Sequence, residues 1–99
     1  MLDQDAAVEL IGRRRRQILV HSAIYYRLND NIIPDHLYDR WSKELAELQQ
    51  QYPEAARLAP YADAYADFDG STGYHLPTGD PAILSKAYQL LAYHRKERG

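Results

Sequence analysis

Ile24-Tyr25-Tyr26-Arg27-Leu28-Asn29-Asp30-Asn31-Ile32-Ile33-Pro34-Asp35-His36-Leu37-Tyr38-Asp39 is the stretch that decides the fold of this 99-residue chain. Asn29-Asp30-Asn31 tolerates left-handed backbone and competes for backbone hydrogen bonds, so a helix running into it stops there. Pro34 then has a fixed φ suited to a first helical turn. Asp35 follows it, where a carboxylate favours the exposed N–H groups. Two helices joined by a short turn form a helical hairpin.

Upstream, the first helix is expected from about Asp3 to Leu28. Asp3 and Asp5 stand where acids cap a helix and complement its dipole. Val8, Ile11, Ile18, Tyr25 and Leu28 fall on one face at separations of three, four and seven, with Leu10, Leu19 and Ile24 widening the stripe. Gly12 costs about 1 kcal/mol relative to alanine and predicts frayed first turns. Downstream, the second helix spans about 34–51, with Leu37, Trp41, Leu45, Leu48 and Tyr52 on its inner face. Pro53 ends it and starts a short helix through Leu58.

From 59 to 79 the periodicity dissolves among Pro60, Gly70, Gly73, Pro77 and Gly79. The aromatic residues of this segment imply that it packs onto something. Asp80-Pro81 then reads as an N-cap acid followed by proline, opening a helix over about 81–97 with Ile83, Leu84, Ala87, Leu90 and Leu91 inward. The expected architecture is therefore all-α. It comprises a helical hairpin (about 3–28 and 34–51), an irregular tyrosine-rich segment, and a C-terminal helix packed back on the hairpin, within a single domain over residues 1–99.

Composition narrows the function classes. Apolar residues make up 45% and charged residues 26%, which suits a folded soluble protein. The net charge of -2 provides no global basic field, which speaks against nucleic acid as a partner. No apolar run is long enough to span a bilayer and no leader is apparent. With zero cysteines the chain fits a reducing compartment, and the expected location is the cytoplasm of a bacterial cell. His21, His36, His75 and His94 show no metal-ligand spacing, so no metal site is expected. The limited core leaves homodimer formation open.

Asp35 and Asp39 are four residues apart and Asp35 and Tyr38 three apart, so the three share one helical face. Tyrosine rings and carboxylates on such a face offer a ligand aromatic walls and hydrogen-bond acceptors. The same spacing equally fits tyrosines that seal a hairpin and an aspartate that caps its second helix. The longer pattern is more specific. Tyr25-Tyr26, a short turn, Asp35-x-x-Tyr38-Asp39, Glu44-Leu45 and Tyr52-Pro53-Glu54 resemble the N-terminal helical module of bacterial NAD-dependent DNA ligases over about half the chain. That resemblance implies a module closing on the nicotinamide mononucleotide (NMN) half of NAD, with Tyr25, Tyr26, Asp35, Tyr38 and Asp39 as ligand-binding residues. It implies NAD or NMN as ligand; no required cofactor is expected.

Departures from that family are equally informative. A ligase takes the adenylyl group on the lysine of a Lys-x-Asp-Gly motif. The lysines here are Lys43, Lys86 and Lys96, and the Asp-Gly of Asp67-Phe68-Asp69-Gly70 has an acid where the lysine would stand. A non-enzymatic role is therefore expected. Short proteins in which such a hairpin precedes Phe-Asp-Gly-Ser-Thr-Gly resemble those encoded by bacteriophages and prophages. This implies an accessory protein whose partner is a nicotinamide nucleotide or a host or phage protein.

Two further features complete the candidates. Arg13-Arg14-Arg15-Arg16 points around the whole helix and reads as a solvated face, with Arg13 and Arg16 able to meet a pyrophosphate beside the tyrosines. The acidic, tyrosine-rich 61–75 segment (Tyr61, Asp63, Tyr65, Asp67, Phe68, Asp69 and Tyr74) offers an alternative partner surface. It could inhibit or regulate a host nuclease or defence enzyme, with tyrosines as anchors and aspartates in place of spaced phosphates. Asp69-Gly70-Ser71-Thr72-Gly73 reads as a turn.

Overall fold

A computed structural model describes residues 2–70 and 76–98; Ser71–His75, and with them Tyr74, lie outside the described residues. The described chain forms four helices: α1 (Gln4–Tyr26), α2 (Asp35–Gln51), α3 (Pro53–Leu58) and α4 (Pro81–Arg98). At a rise of about 1.5 Å per residue α1 is roughly 35 Å long. It therefore sets the long axis of a molecule measuring 42 × 24 × 22 Å.

The helix ends follow the capping chemistry of the sequence. Asp3 caps α1, its carboxylate accepting from the Ala6 N–H at 2.8 Å. At the other end Asn29 turns left-handed (φ 53°), and the N–H groups of Leu28 and Asp30 fold back onto the carbonyls of Ala23 and Ile24. α2 begins one residue later than expected, because Pro34 stays extended and flanks the helix. Its carbonyl accepts from Leu37 and Tyr38. Asp80 caps α4 by accepting from Ile83 N–H at 3.2 Å.

α1 is the central element and packs against α2, α3 and α4. This changes its expected burial. Instead of one stripe, the consecutive runs Ile18-Leu19-Val20 and Ser22-Ala23-Ile24 are buried, since neighbours approach from several sides. Tyr25, placed by periodicity on the inner face, is exposed and stands at the rim of a cleft. Leu45 from α2, Ala55 from α3, and Ile83 and Ala87 from α4 complete the core. Each large aliphatic side chain sealed there contributes about 1.5–3 kcal/mol.

Gly12 does not fray the helix. It is buried, and a Cβ added there would stand 3.2 Å from Pro60 Cδ. The missing side chain lets the 59–60 corner approach the α1 backbone.

The arginine run is likewise not uniformly solvated. Arg15 is 1% exposed, whereas Arg13 and Arg16 are on the surface. Its guanidinium donates to Gln49 Oε1 at 2.8 Å and to the carbonyl oxygens of Ala56 (2.8 Å), Ala59 (3.2 Å) and Pro60 (3.0 Å). These carbonyls lie at and beyond the end of α3, where helical geometry leaves acceptors unpaired and the dipole is negative. Arg15 is thus the C-terminal cap of α3, supplied from another helix. Burial lowers its pKa and the neighbouring Tyr65 opposes that shift.

Residues 61–67 form successive turns. Tyr65 and Phe68 point inward, 1% and 8% exposed, with their rings edge to face at 5.0 Å. The Tyr65 hydroxyl donates to Arg15 O at 2.8 Å, and burial raises its pKa far above the ordinary phenol range. The expectation that these two aromatics present a partner surface is corrected: both serve as core and anchor the segment. Asp63, Asp67 and Asp69 are exposed. Gly70 (φ 87°) brings the backbone against Ser42 of α2, and the rest of the expected turn, residues 71–73, lies outside the described residues.

Candidate functional site

The end of α1 and the start of α2 enclose a cleft of about 260 Å³. All five motif residues line it: Tyr25 and Tyr26 from the last turn of α1, and Asp35, Tyr38 and Asp39 from the first turns of α2. The helical period accounts for this, since side chains three and four apart on α2 share a face and the hairpin turns that face toward the tyrosine pair. The two tyrosine rings meet edge to face, 4.9 Å between centres at 82°. They are 56% and 40% exposed, so their outer faces are available to a ligand.

Tyr38 sits deeper. Its hydroxyl and Ser22 Oγ form a 2.7 Å hydrogen bond linking α2 to α1. Burial raises the Tyr38 pKa against the opposing effect of that bond, so the phenol stays protonated across the physiological range. Asn31 closes the turn side: its amide donates to Asp35 Oδ1 at 3.3 Å and its carbonyl oxygen accepts from the Ile33 N–H.

Four wall residues, His21, Ser22, Asn31 and Ile33, were not among the sequence candidates. His21 was findable, because it precedes Tyr25 by one helical turn and so shares its face. Its ring packs on Trp41 at 5.4 Å, and burial lowers its pKa. The imidazole is therefore neutral at neutral pH and does not repel a cation entering the cleft.

Arg13 and Arg16 do not line this cleft. They border a separate groove between α1 and α4, and Arg13 pairs with Glu9 at 2.8 Å. Among the described residues no cluster of His, Asp or Glu could hold a metal ion, and no helix is long and apolar enough to cross a membrane.

The cleft therefore combines aromatic walls, two carboxylates and a neutral imidazole on a helical hairpin. Residues 4–59 match the family described as DNA ligase-like, N-terminal NAD+-binding domain. The chain belongs to that family. Among its relatives is the DNA ligase of Thermotoga maritima, 45% identical over 47 residues, which is 48% of this chain and 7% of that ligase. The DNA ligase of Pseudomonas aeruginosa is 41% identical over 54 residues, covering 54% of this chain and 7% of that ligase. The chain thus spans about 7% of the length of these curated relatives. No solved structure matches it. All five cleft residues named from the motif lie within the NAD+-binding domain match, whereas α4 lies outside it.

Proposed function

We propose that this chain is a non-catalytic binder of nicotinamide mononucleotide, taken free or as the nicotinamide end of NAD, in an accessory protein of the phage type. The supporting observation is the convergence of Tyr25, Tyr26, Asp35, Tyr38 and Asp39 on one cleft. A nicotinamide ring linked to ribose is a flat cation. Tyrosine faces attract it through their quadrupoles and the two carboxylates through charge. Ribose hydroxyls find acceptors in the same carboxylates. NAD or NMN is a ligand in this reading and not a cofactor for chemistry.

The test is calorimetric titration with NMN of the native protein and of the Asp35→Asn/Asp39→Asn double variant. Both aspartates are exposed, so the variant keeps the fold. Saturable binding that weakens at least roughly tenfold in the variant is expected, as for the loss of one charge-assisted contact. Absence of heat at millimolar NMN, or equal affinity in the two proteins, would overturn the proposal.

A further inference from the structure

The groove that holds Arg13 and Arg16 has a volume of about 670 Å³ and lies on the face of α1 adjoining the cleft. Val20 of α1 and Ile83 and Leu90 of α4 supply apolar walls, and Tyr61 contributes a ring. Tyr61 holds φ 65°, a left-handed conformation that bulky residues adopt only when their surroundings enforce it. The remaining lining is basic or neutral, and no carboxylate among the described residues borders it. Arg16 and Lys86 are exposed and form no ion pair with any described residue.

His21 lines both the cleft and this groove. From His21 to Arg16 and Arg13 is roughly 8–12 Å along the helix axis. Over that distance the site changes from the carboxylates of Asp35 and Asp39 to the cations of Arg16 and Lys86. A dinucleotide with a cationic nicotinamide at one end has the complementary sequence of charges: the cation first, then an anionic diphosphate, then a flat adenine.

We infer that the groove takes the adenosine diphosphate part of the NAD molecule whose nicotinamide ring occupies the cleft, an inference that rests on the function proposed above. The diphosphate passes His21 and meets Arg16 and Lys86, whose charges pair with phosphate oxygens. The adenine lies on Val20, Ile83 and Leu90. Gln17, whose amide oxygen already accepts from Arg14 at 2.9 Å, has its NH2 group left to donate to the base. One wall of the groove is α4, so this half of the site draws in part on the chain outside the family match.

The experiment is calorimetric titration with NMN, NAD and ADP of the native protein and the Arg16→Ala/Lys86→Ala double variant. NAD should bind at least roughly tenfold more tightly than NMN to the native protein, an advantage equal to one charge-assisted hydrogen bond. The double variant should lose that advantage, its affinity for NAD falling further than that for NMN, which brings only one of the two phosphates. ADP should bind saturably to the native protein and not to the variant. Equal affinity for NAD and NMN together with no ADP heat, or ADP binding that the variant retains, would overturn the inference. ADP probes the groove alone: ADP binding lost in the variant, with no NMN binding in either protein, would support the groove and remove the cleft reading.

Discussion

Replacing Arg15 by methionine keeps the apolar stem of the side chain and removes its fork of donors, so the loss measures the cap itself. Four acceptors lose their partner: Gln49 Oε1 and the carbonyl oxygens of Ala56, Ala59 and Pro60. An acceptor stranded away from water costs about 1–3 kcal/mol. The bond to Ala59 is fully buried and bears that cost in full, whereas the other three are partly buried and can recruit water at reduced cost. The sum is about 3–5 kcal/mol, similar to the loss of one member of a buried charged cluster. That is a large part of the 5–15 kcal/mol typical of a whole domain. Even about 3 kcal/mol lowers the melting temperature of a domain this size by roughly 12–24 °C. Far-ultraviolet circular dichroism during heating and urea titration reads the effect. Arg13→Met and Arg16→Met serve as surface controls expected to stay within about 0.5 kcal/mol of the native protein. Arg15→Met melting alongside those controls would refute the assignment of Arg15 as the cap of α3.

Two other perturbations test the packing. His21 has a folded pKa below its ordinary 6.5 because of burial, so the unfolded chain binds the extra proton first. Stability contributed by neutral His21 is complete above about pH 6.5 and declines as pH falls from there toward the lowered folded value. Urea unfolding of His21→Gln across that interval should show a flatter pH dependence than the native protein, and parallel curves would contradict this. The glycines should separate by geometry. Gly70→Ala forces a side chain into φ 87° and within 3.1 Å of the Ser42 carbonyl, and should destabilise by about 1–3 kcal/mol. Gly12→Ala should forfeit most of the gain of about 1 kcal/mol normal for a helix interior, because Pro60 occupies the space. Thermal melts of the two variants compare them directly, and a clear rise for Gly12→Ala would show that Pro60 yields.

The hairpin and the cleft were legible in the sequence because their signals are local. Asn29 and Pro34 break the chain between two periodic segments, and the spacing of Asp35, Tyr38 and Asp39 fixes a shared face whatever packs elsewhere. The role of Arg15 was not legible from the charge run, since four adjacent arginines look alike until tertiary contacts distinguish them. A signal did exist: Ile11, Arg15, Ile18 and Ser22 are separated by four, three and four, which puts Arg15 within the inner face of α1. The burial of Tyr65 and Phe68 depended on contacts across many residues. Arg15 O, which accepts the Tyr65 hydroxyl, lies 50 positions away, and no local pattern reports that. The second cavity depends on α4 returning alongside α1, again a property of packing.

The cleft lies across the Asn29 turn, with one wall on each arm of the hairpin. On the function proposed above, a nucleotide gripped by both walls would be a removable cross-brace, bound by the closed hairpin and not by the unfolded chain. Thermodynamic linkage would then give the protein about 2.7 kcal/mol of extra stability when the free nucleotide exceeds its dissociation constant a hundredfold. In a cell whose nucleotide pool collapses, the same arithmetic runs in reverse. The persistence of the folded protein would then follow the supply of its ligand.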